Sequence, residues 1–574
     1  MAPARRDLPV PMRDGVLLRA DLWLPDPADH PGPRPGLVCR TPYGKGRDEG
    51  EVRFAERAAR QGYAVLLQDV RGRYASEGVF EPHVAEGRDG FDTIEWVAAQ
   101  DWCDGRVGTF GLSYPGCAQW LAALERPPHL KAMAPAMSYA RLVDCMYYGG
   151  VFDADWLRWG VVSMAPDERA RRGLAGLPGP ATEPEAWADW QARPEEAREG
   201  FLPLADLPDL EATPYVRRWL TTPPDSPWWS FADMTGRYAD IDCAVLHLDG
   251  WLDDAYGPKG AIANHLGLCA ARKESGDARS RLVLGPWAHG IAAVDGREPH
   301  GTRELGPQAY IDYDGLVLDF MDRHVRGLQN AQAAPVRYFV MGANRWADAP
   351  SWPPPATELA LHLHAPPPGI PVGALLPSPP GAHGCSSFVN DPLDPLREPP
   401  DRAMGAHDLR DLLDLAGDKL AAWQSEPLPY DLSVAGNIRA ELFLSLDAPD
   451  ADIYVKIQDV APDGAAYPLM NARAEVQRLS MRGNGPQPLE PGRVHTVVID
   501  TLLTANTFLA GHRIRVLVCA SWFPALSRNL QTGAHEATSS ATRPATITIH
   551  CGPGRQGRVL LPVVAEGPEP PPRT

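Results

Sequence analysis

Residues 111–116 read Gly111-Leu112-Ser113-Tyr114-Pro115-Gly116, a G-x-S-x-G pattern. The β-prone run 106–110 precedes it, and the apolar stretch 117–124 that follows begins like a helix. A tight turn from strand into helix forces the serine into a strained conformation and raises its hydroxyl above the sheet edge. Glycines leave room for such a turn, because a side chain there would clash. The stretch predicts a nucleophile elbow at Ser113, although an ordinary glycine turn can carry the same five residues.

The bulk composition is that of a globular protein with more than one domain. The chain has 574 residues, of which 44% are hydrophobic and 22% are charged. Its net charge of −18 argues against binding to nucleic acid or to an anionic membrane. No apolar run is long enough to span a bilayer, and the N-terminus lacks the apolar core of a signal peptide. The nine cysteines are scattered, and Cys39, Cys243 and Cys519, which lie in apolar runs, are expected to be buried thiols. This pattern fits a cytoplasmic protein.

The pattern along the chain predicts three structural parts. Strand-like and helix-like segments alternate up to about residue 136 and again after residue 240, which indicates a parallel α/β sheet. The intervening stretch is rich in tryptophan and proline and favours a helical insertion. After Pro353-Pro354-Pro355 the pattern is β, as in a sandwich or jelly roll. We therefore predict an α/β core at 1–139 and 237–350, a helical cap at 140–236 and a β jelly roll at 351–574.

A serine nucleophile needs a neutral imidazole held by a carboxylate. On a sheet of this kind the partners follow in the order Ser, Asp or Glu, and His, each after a strand. The strand-like run 245–248 leads into Asp249-Gly250-Trp251-Leu252-Asp253-Asp254, and 281–284 leads into Gly285-Pro286-Trp287-Ala288-His289. Both loops lie where ligands meet an open α/β sheet. The residues alone leave Asp249, Asp253 and Asp254 as alternatives for the acid, while His247 is more simply a packed or surface histidine.

An acyl-transfer site also needs donors for the oxyanion. The backbone N–H of Tyr114, directly after the serine, is in the usual position for the first donor. No HGGG-type loop is present for the second, but Tyr43 follows an early strand in Arg40-Thr41-Pro42-Tyr43-Gly44. Its hydroxyl is neutral at pH 7 and can donate. The alternative is that Tyr43 is a half-buried aromatic residue without a role in the reaction.

These motifs together resemble the cocaine esterase (CocE/NonD) family of serine hydrolases. That family is related to X-prolyl dipeptidyl-peptidases, α-amino-acid ester hydrolases and glutaryl cephalosporin acylases. The resemblance runs nearly end to end and includes, besides the elbow and the two loops above, Pro11-Met12-Arg13-Asp14-Gly15-Val16, Arg40-Thr41-Pro42-Tyr43, the stretch 68–78, Trp102-Cys103-Asp104-Gly105 and the stretch 506–514.

The resemblance implies a role for each site residue. Ser113 would be the nucleophile, His289 the general base and then acid, and Asp253 the orienting carboxylate. The Tyr43 hydroxyl and the Tyr114 N–H would form the oxyanion hole. The implied fold is an α/β-hydrolase core with an inserted helical cap and a C-terminal jelly roll of the galactose-binding-like type. No metal or organic cofactor is implied. Asp69 and Arg71, in a family signature, are expected to form a buried ion pair beneath the site.

The sequence also departs from its relatives near the acid. Where α-amino-acid ester hydrolases carry two further carboxylates that hold the substrate ammonium, this chain has Ala255 and Tyr256. A buried ammonium without such partners is costly, so α-amino esters and N-terminal dipeptides are not expected substrates. The residues expected to line the substrate pocket are Trp156, Trp159, Trp251, Ala255 and Trp287.

We therefore expect a serine hydrolase that cleaves a small-molecule carboxylic ester or amide through an acyl-enzyme. Acyl transfer to a nucleophile other than water, or X-Pro-type dipeptidyl-peptidase action, are alternatives on the same site. A non-catalytic protein that binds carbohydrate or a protein partner is a third alternative, which the complete set of triad residues disfavours. An exposed strand edge on the β domain would allow a homodimer.

Overall fold

The computed structural model describes residues 2–171, 179–273, 279–329, 333–399, 405–482, 487 and 489–565. Its first part, up to Ala136, alternates strands and helices as expected. The strands are β1 (Arg5–Pro11), β2 (Leu17–Trp23), β3 (Arg34–Thr41), β4 (Ala64–Asp69), β5 (Cys103–Leu112) and β6 (Leu130–Ala136), and the helices are α1 (Glu49–Arg60), α2 (Glu86–Ala98) and α3 (Tyr114–Leu124).

The segment after β6 is helical apart from one short hairpin. Its elements are α4 (Leu142–Met146), β7 (Tyr147–Tyr148), β8 (Val151–Phe152), α5 (Asp155–Arg158), a π-helical turn (Trp159–Met164), α6 (Ala165–Arg171), α7 (Glu183–Ala192) and α8 (Pro214–Thr221), with 3-10 turns at Glu195–Ala197, Leu204–Asp206, Pro208–Glu211, Pro227–Ala232 and Tyr238–Asp240. Indole rings of this segment pack on one another, with Trp156 and Trp159 5.5 Å apart between ring centroids.

The α/β pattern then resumes. Its elements are β9 (Ala244–Gly250), α9 (Pro258–Ala271), β10 (Ser280–Gly285), α10 (Ile291–Val294), a 3-10 turn (Pro307–Ala309), α11 (Tyr313–Met321), a π-helical turn (Asp322–Arg326), β11 (Val336–Val340) and β12 (Arg345–Ala349). One sheet joins both halves in the order β1-β2-β4-β3-β5-β6-β9-β10-β11-β12. Within this order, each pair of neighbouring strands from β4 through β3, β5, β6, β9 and β10 to β11 is parallel.

Burial explains why these strands are apolar. Every residue of β4 and of β9 is buried, as expected for strands covered by helices on both faces. Because β5, β9 and β10 run parallel in one sheet, their carboxyl ends share one edge of it. The loops that follow these three strands carry Ser113, Asp253 and His289.

The C-terminal part is a β structure with a single short α-helix among its described residues. Its strands are β13 (Ala356–His364), β14 (Val372–Leu376), β15 (Gly384–Asn390), β16 (Leu420–Gln424), β17 (Leu432–Leu446), β18 (Asp452–Val460), β19 (Ala466–Pro468), β20 (Val476–Arg478), β21 (His495–Phe508), β22 (Arg513–Cys519), β23 (Ala545–Cys551) and β24 (Arg558–Val564). The helix is α12 (Leu412–Ala416), and 3-10 turns lie at Ala472–Glu475 and Leu479–Met481. All strand pairs between these elements are antiparallel except β14 with β16.

The predicted fold class, an α/β core followed by a β-rich C-terminal part, is confirmed. The boundaries placed at 139/140, 236/237 and 350/351 stay a prediction. Cys39, Cys243 and Cys519 are buried free thiols, as expected. Across the described residues, no helix has the length and apolar character needed to cross a bilayer.

Candidate active site

Ser113 lies at a sharp corner between β5 and α3. Its backbone has φ 68° and ψ −129°, in a region that only a well-supported non-glycine residue adopts. Its N–H donates to the carbonyl of Ala136 on the neighbouring strand, at 3.0 Å. A Cβ at Gly111 would lie 2.5 Å from Pro115 Cβ, and one at Gly116 would lie 2.6 Å from Ala136 O. Both glycines of the motif are thus needed for the corner that the sequence predicts.

His289 and Asp253 face each other across the loops after β10 and β9. The Nδ1 of His289 lies 2.7 Å from Oδ1 of Asp253. Asp253 is fully buried, and its carboxylate also accepts the backbone N–H groups of Ala255, Tyr256 and Gly257 at 3.0, 3.3 and 3.1 Å. With Nδ1 donating to the carboxylate, the Nε2 atom of the ring is left as the acceptor.

The charges around His289 make its imidazole more basic. Burial opposes the protonated ring, but the nearby charges of Asp253 and Asp254 outweigh burial, so the pKa of His289 is raised. Arg473 acts in the opposite direction. For Asp253, burial alone would raise the pKa, but the facing imidazole and the backbone donors lower it, so the carboxylate stays ionised.

The three candidate acids have three different environments. Asp253 contacts the imidazole, whereas Asp254 is half-buried and accepts the backbone N–H of His289 at 3.2 Å. Asp249 is fully buried at the end of β9, where one oxygen accepts the N–H of Gly250 at 2.8 Å. Burial and the neighbouring charge of Asp253 raise the pKa of Asp249 well above its usual range, which favours the protonated form of this carboxyl.

Tyr43 and Tyr114 contribute different atoms. The half-buried Tyr43 hydroxyl accepts the indole N–H of Trp159 at 3.2 Å, and Tyr43 lines the same cavity as Ser113. Burial raises the pKa of Tyr43 to about 12, so the hydroxyl keeps its proton. The ring of Tyr114 points into the core, where its hydroxyl donates to Glu86 at 2.8 Å. Its N–H is the first of α3 and has no acceptor within that helix, so it is available to an oxyanion.

A cavity of about 430 Å³ opens beside these groups and is lined by Tyr43, Ser113 and His289. Its apolar wall includes Phe54 and Ile291. Its polar lining holds the carboxyl groups of Asp48, Glu49, Glu51 and Glu298 together with Arg297 and His300. Burial raises the pKa of Glu51 to about 8. Sequence reasoning did not identify these acidic residues, because no spacing rule connects α1 or the loop after α10 with the serine. Among the residues described, no group of three or more His, Cys, Asp or Glu side chains could hold a metal ion.

Three of the five residues expected to line the substrate pocket do not line this cavity. Trp251 and Trp287 are 0% and 2% exposed, and their indole N–H groups donate at 2.8 Å to the carbonyls of Phe339 and Ala309 in the core. Trp156 is buried, with its N–H bonded to the Cys145 carbonyl at 2.9 Å. None of these three lines the cavity, because packing between the loops and the helical segment covers their rings.

The two remaining predicted pocket residues, Ala255 and Trp159, do not line the cavity themselves but are hydrogen-bonded to Asp253 and Tyr43. Ala255 holds Asp253 by its backbone N–H, and Trp159 reaches the cavity through its bond to Tyr43. The expected ion pair between Asp69 and Arg71 is also absent. Asp69 pairs instead with Lys45, at 3.1 Å, and Arg71 pairs with Asp89 at 2.7 Å and with Asp14.

The chain is similar to known proteins over both of its parts. Residues 14–291 match the X-Pro dipeptidyl-peptidase (S15 family) domain, and residues 330–560 match the X-Pro dipeptidyl-peptidase C-terminal non-catalytic domain. The chain is 34% identical to a cocaine esterase of Rhodococcus sp., over 97% of each chain. Its fold is similar to that of an aminopeptidase from a marine sediment Thaumarchaeota archaeon, with a TM-score of 0.80 and 23% identity over 98% of this chain and 96% of that one.

A CocE/NonD family hydrolase from Staphylococcus aureus has the same fold, with a TM-score of 0.67 and 18% identity over 98% of this chain and 93% of that one. The resemblance first carried by short motifs thus extends over both parts of the chain. The protein belongs to the cocaine esterase (CocE/NonD) family and is a serine hydrolase.

Proposed function

We propose that this protein hydrolyses small-molecule carboxylic esters, with Ser113 as nucleophile, His289 as general base and acid, and Asp253 as orienting carboxylate. The observation that carries the proposal is the 2.7 Å contact between His289 Nδ1 and the buried Asp253. His289 lines the same cavity as Ser113, whose backbone is held at φ 68°. A relative that is named a cocaine esterase supports the choice of an ester bond.

The reaction follows from the positions of the groups. As the Ser113 oxygen attacks the ester carbonyl, its proton passes to His289 Nε2, and Asp253 stabilises the imidazolium that forms. The Tyr43 hydroxyl and the Tyr114 N–H donate to the oxyanion. When the tetrahedral intermediate collapses, His289 gives the proton to the departing alcohol and an acyl-enzyme remains. Water then attacks the acyl carbon, His289 takes its proton, and that proton returns to Ser113 as the acid leaves.

The surroundings of the site favour some substrates over others. Neither Ala255 nor Tyr256 can pair with an α-ammonium group, which supports the exclusion of α-amino esters and dipeptides. Because Asp48, Glu49 and Glu298 outnumber the single Arg297 in the cavity lining, a substrate that carries a carboxylate is disfavoured. Neutral esters, and esters with a cationic leaving group, therefore fit best. Because the related S15 family is named for X-Pro peptidases, peptidase action on the same site is the second candidate.

The test is the hydrolysis of p-nitrophenyl butyrate by the wild type and Ser113→Ala, combined with a fluorophosphonate probe and intact-mass readout. We expect turnover and a single adduct in the wild type, both lost in the variant. Ser445→Ala is a matched control, because Ser445 lies 2.8 Å from His550 Nε2 on the C-terminal sheet without a strained turn. Turnover that persists in Ser113→Ala would contradict the proposal.

We also propose that the protein is cytoplasmic, acts without a metal or organic cofactor, and uses the Tyr43 and Tyr114 oxyanion donors above. A homodimer through a strand edge of the C-terminal part stays a prediction. Light scattering at micromolar concentration tests it, because a monomeric mass would exclude the dimer.

A further inference from the structure

A short segment of the C-terminal part reaches the loop that carries the catalytic acid. The Nδ2 of Asn471 donates to the backbone carbonyl of Asp253 at 2.5 Å, and the Asn471 N–H donates to the carbonyl of Trp251 at 3.2 Å. A Cβ at Gly257 would lie only 2.9 Å from Asn471 Nδ2, so the acid loop and this side chain are closely packed. The loop that presents Asp253 is thus held from outside the α/β core.

Two residues later, the same segment binds the helical insertion. Arg473 Nε lies 2.7 Å from Asp153 Oδ2, and a second guanidinium nitrogen pairs with Asp155. The Arg473 N–H donates to Asn471 Oδ1 at 2.8 Å, so the two residues also fix each other. Arg473 and Asp153 are 4% and 1% exposed, respectively. Breaking a buried ion pair of this kind leaves an uncompensated charge, so the contact is strongly maintained.

The contacts continue to the oxyanion tyrosine. Asp155 begins helix α5, and the π-helical turn that directly follows α5 begins with Trp159, whose indole N–H donates to the Tyr43 hydroxyl. Asn471 and Arg473 therefore connect the two sides of the site: one holds the acid loop, and the other holds the helix that leads to Trp159.

We propose that Asn471 and Arg473 are positioning residues for the reaction, so that the C-terminal part, whose domain family is described as non-catalytic, sets the geometry of the catalytic acid and of the oxyanion donor. This inference rests on the proposed triad of Ser113, His289 and Asp253. Neither residue lines the cavity beside Ser113. Their loss should therefore lower kcat and leave KM nearly unchanged.

The first test replaces Asn471. Asn471→Asp keeps the shape and the oxygen that accepts from Arg473, but it removes the amide donor to Asp253. We expect kcat for p-nitrophenyl butyrate to fall about 10- to 100-fold, as small displacements of reacting groups do. The rate of fluorophosphonate labelling should fall with it. The control is Asn529→Ala, which removes a 4% exposed asparagine that donates to Asp450 and Asp452 in the same part of the chain.

The second test replaces Arg473 and reads the pH profile. The charged groups that act on His289 are Asp253, Asp254 and Arg473, and Arg473 lowers the pKa of His289. Arg473→Met should therefore shift the acidic limb of kcat/KM to higher pH, whereas Arg473→Lys should restore much of the wild-type profile. A role in stability alone would lower the melting temperature without moving this limb.

The outcomes separate the two proposals. If Ser113→Ala stays active, the triad itself is wrong. If Ser113→Ala is inactive but folded Asn471→Asp matches Asn529→Ala in kcat and labelling rate, the positioning role is wrong. If Asn471→Asp does not fold, the Arg473→Met and Arg473→Lys pair decides, and an unmoved acidic limb overturns the inference.

Discussion

Removing the Tyr43 hydroxyl tests whether Tyr43 is an oxyanion donor or only a packing residue. Tyr43→Phe keeps the ring and deletes one oxygen, which accepts the Trp159 indole N–H. Loss of a single oxyanion donor costs about 100- to 1000-fold in kcat, or about 2.7–4 kcal/mol of transition-state stabilisation. The orphaned indole N–H should cost about 1–3 kcal/mol of folding free energy, because it loses its acceptor.

The assay is kcat for p-nitrophenyl butyrate at saturating substrate, with urea unfolding of the same samples. Trp159→Phe is the matched control, since it removes the donor to Tyr43 and leaves the hydroxyl in place. We expect Trp159→Phe to lose less than about tenfold in kcat, because Tyr43 can still donate to the oxyanion. A Tyr43→Phe variant that keeps kcat within about threefold of the wild type would refute the assignment, whatever its stability.

Three further predictions concern charge near the site. Asp254→Asn removes a charge that raises the pKa of His289 but keeps the oxygen that accepts its N–H, so the acidic limb of the kcat/KM profile should move to lower pH; a shift to higher pH would contradict this. Asp249→Asn keeps an oxygen that can accept the Gly250 N–H, so its kcat should stay within about threefold, whereas Asp249→Leu removes that acceptor and should lose about 1–3 kcal/mol of unfolding free energy. Equal stability of the two variants in urea would show that this acceptor contributes nothing. Finally, p-nitrophenyl hemiglutarate, which carries a carboxylate, should have a higher KM than the neutral p-nitrophenyl butyrate. Glu298→Gln should reduce this difference in KM. Equal KM values for the two esters in the wild type would show that the acidic lining does not act on substrate.

Much of the fold could be predicted from local patterns. The continuous apolar runs at β4 and β9 indicate strands covered on both faces, and the structure buries every residue in them. The elbow was predictable because Gly111 and Gly116 have a single steric reason to be glycine. The choice of Asp253 over Asp249 and Asp254 needed the family resemblance, because three carboxylates within six positions look alike until their partners are known.

Other parts depend on contacts between distant positions. Asn471 lies 218 positions from Asp253, and no spacing rule connects them. The acidic lining of the cavity joins the start of α1 with the loop after α10, which become neighbours only through the order of strands in the sheet. For the same reason, the sequence could not show that Arg71 pairs with Asp14 and Asp89 rather than with Asp69.

Trp251 and Trp287, two of the four tryptophans predicted to line the substrate pocket, belong to two loops that contact each other through their backbones. The N–H of Trp251 donates to the carbonyl of Gly285 at 2.8 Å, and the N–H of Leu252 donates to the carbonyl of Trp287 at 3.2 Å. A Cβ at Gly250 would overlap that Trp287 carbonyl, and one at Gly285 would overlap the Trp287 ring. The loops after β9 and β10 are therefore bonded directly to each other, and this close packing sets the short distance between Asp253 and His289. Glycine and tryptophan accompany Asp253 and His289 in these two motifs because they hold the loops together.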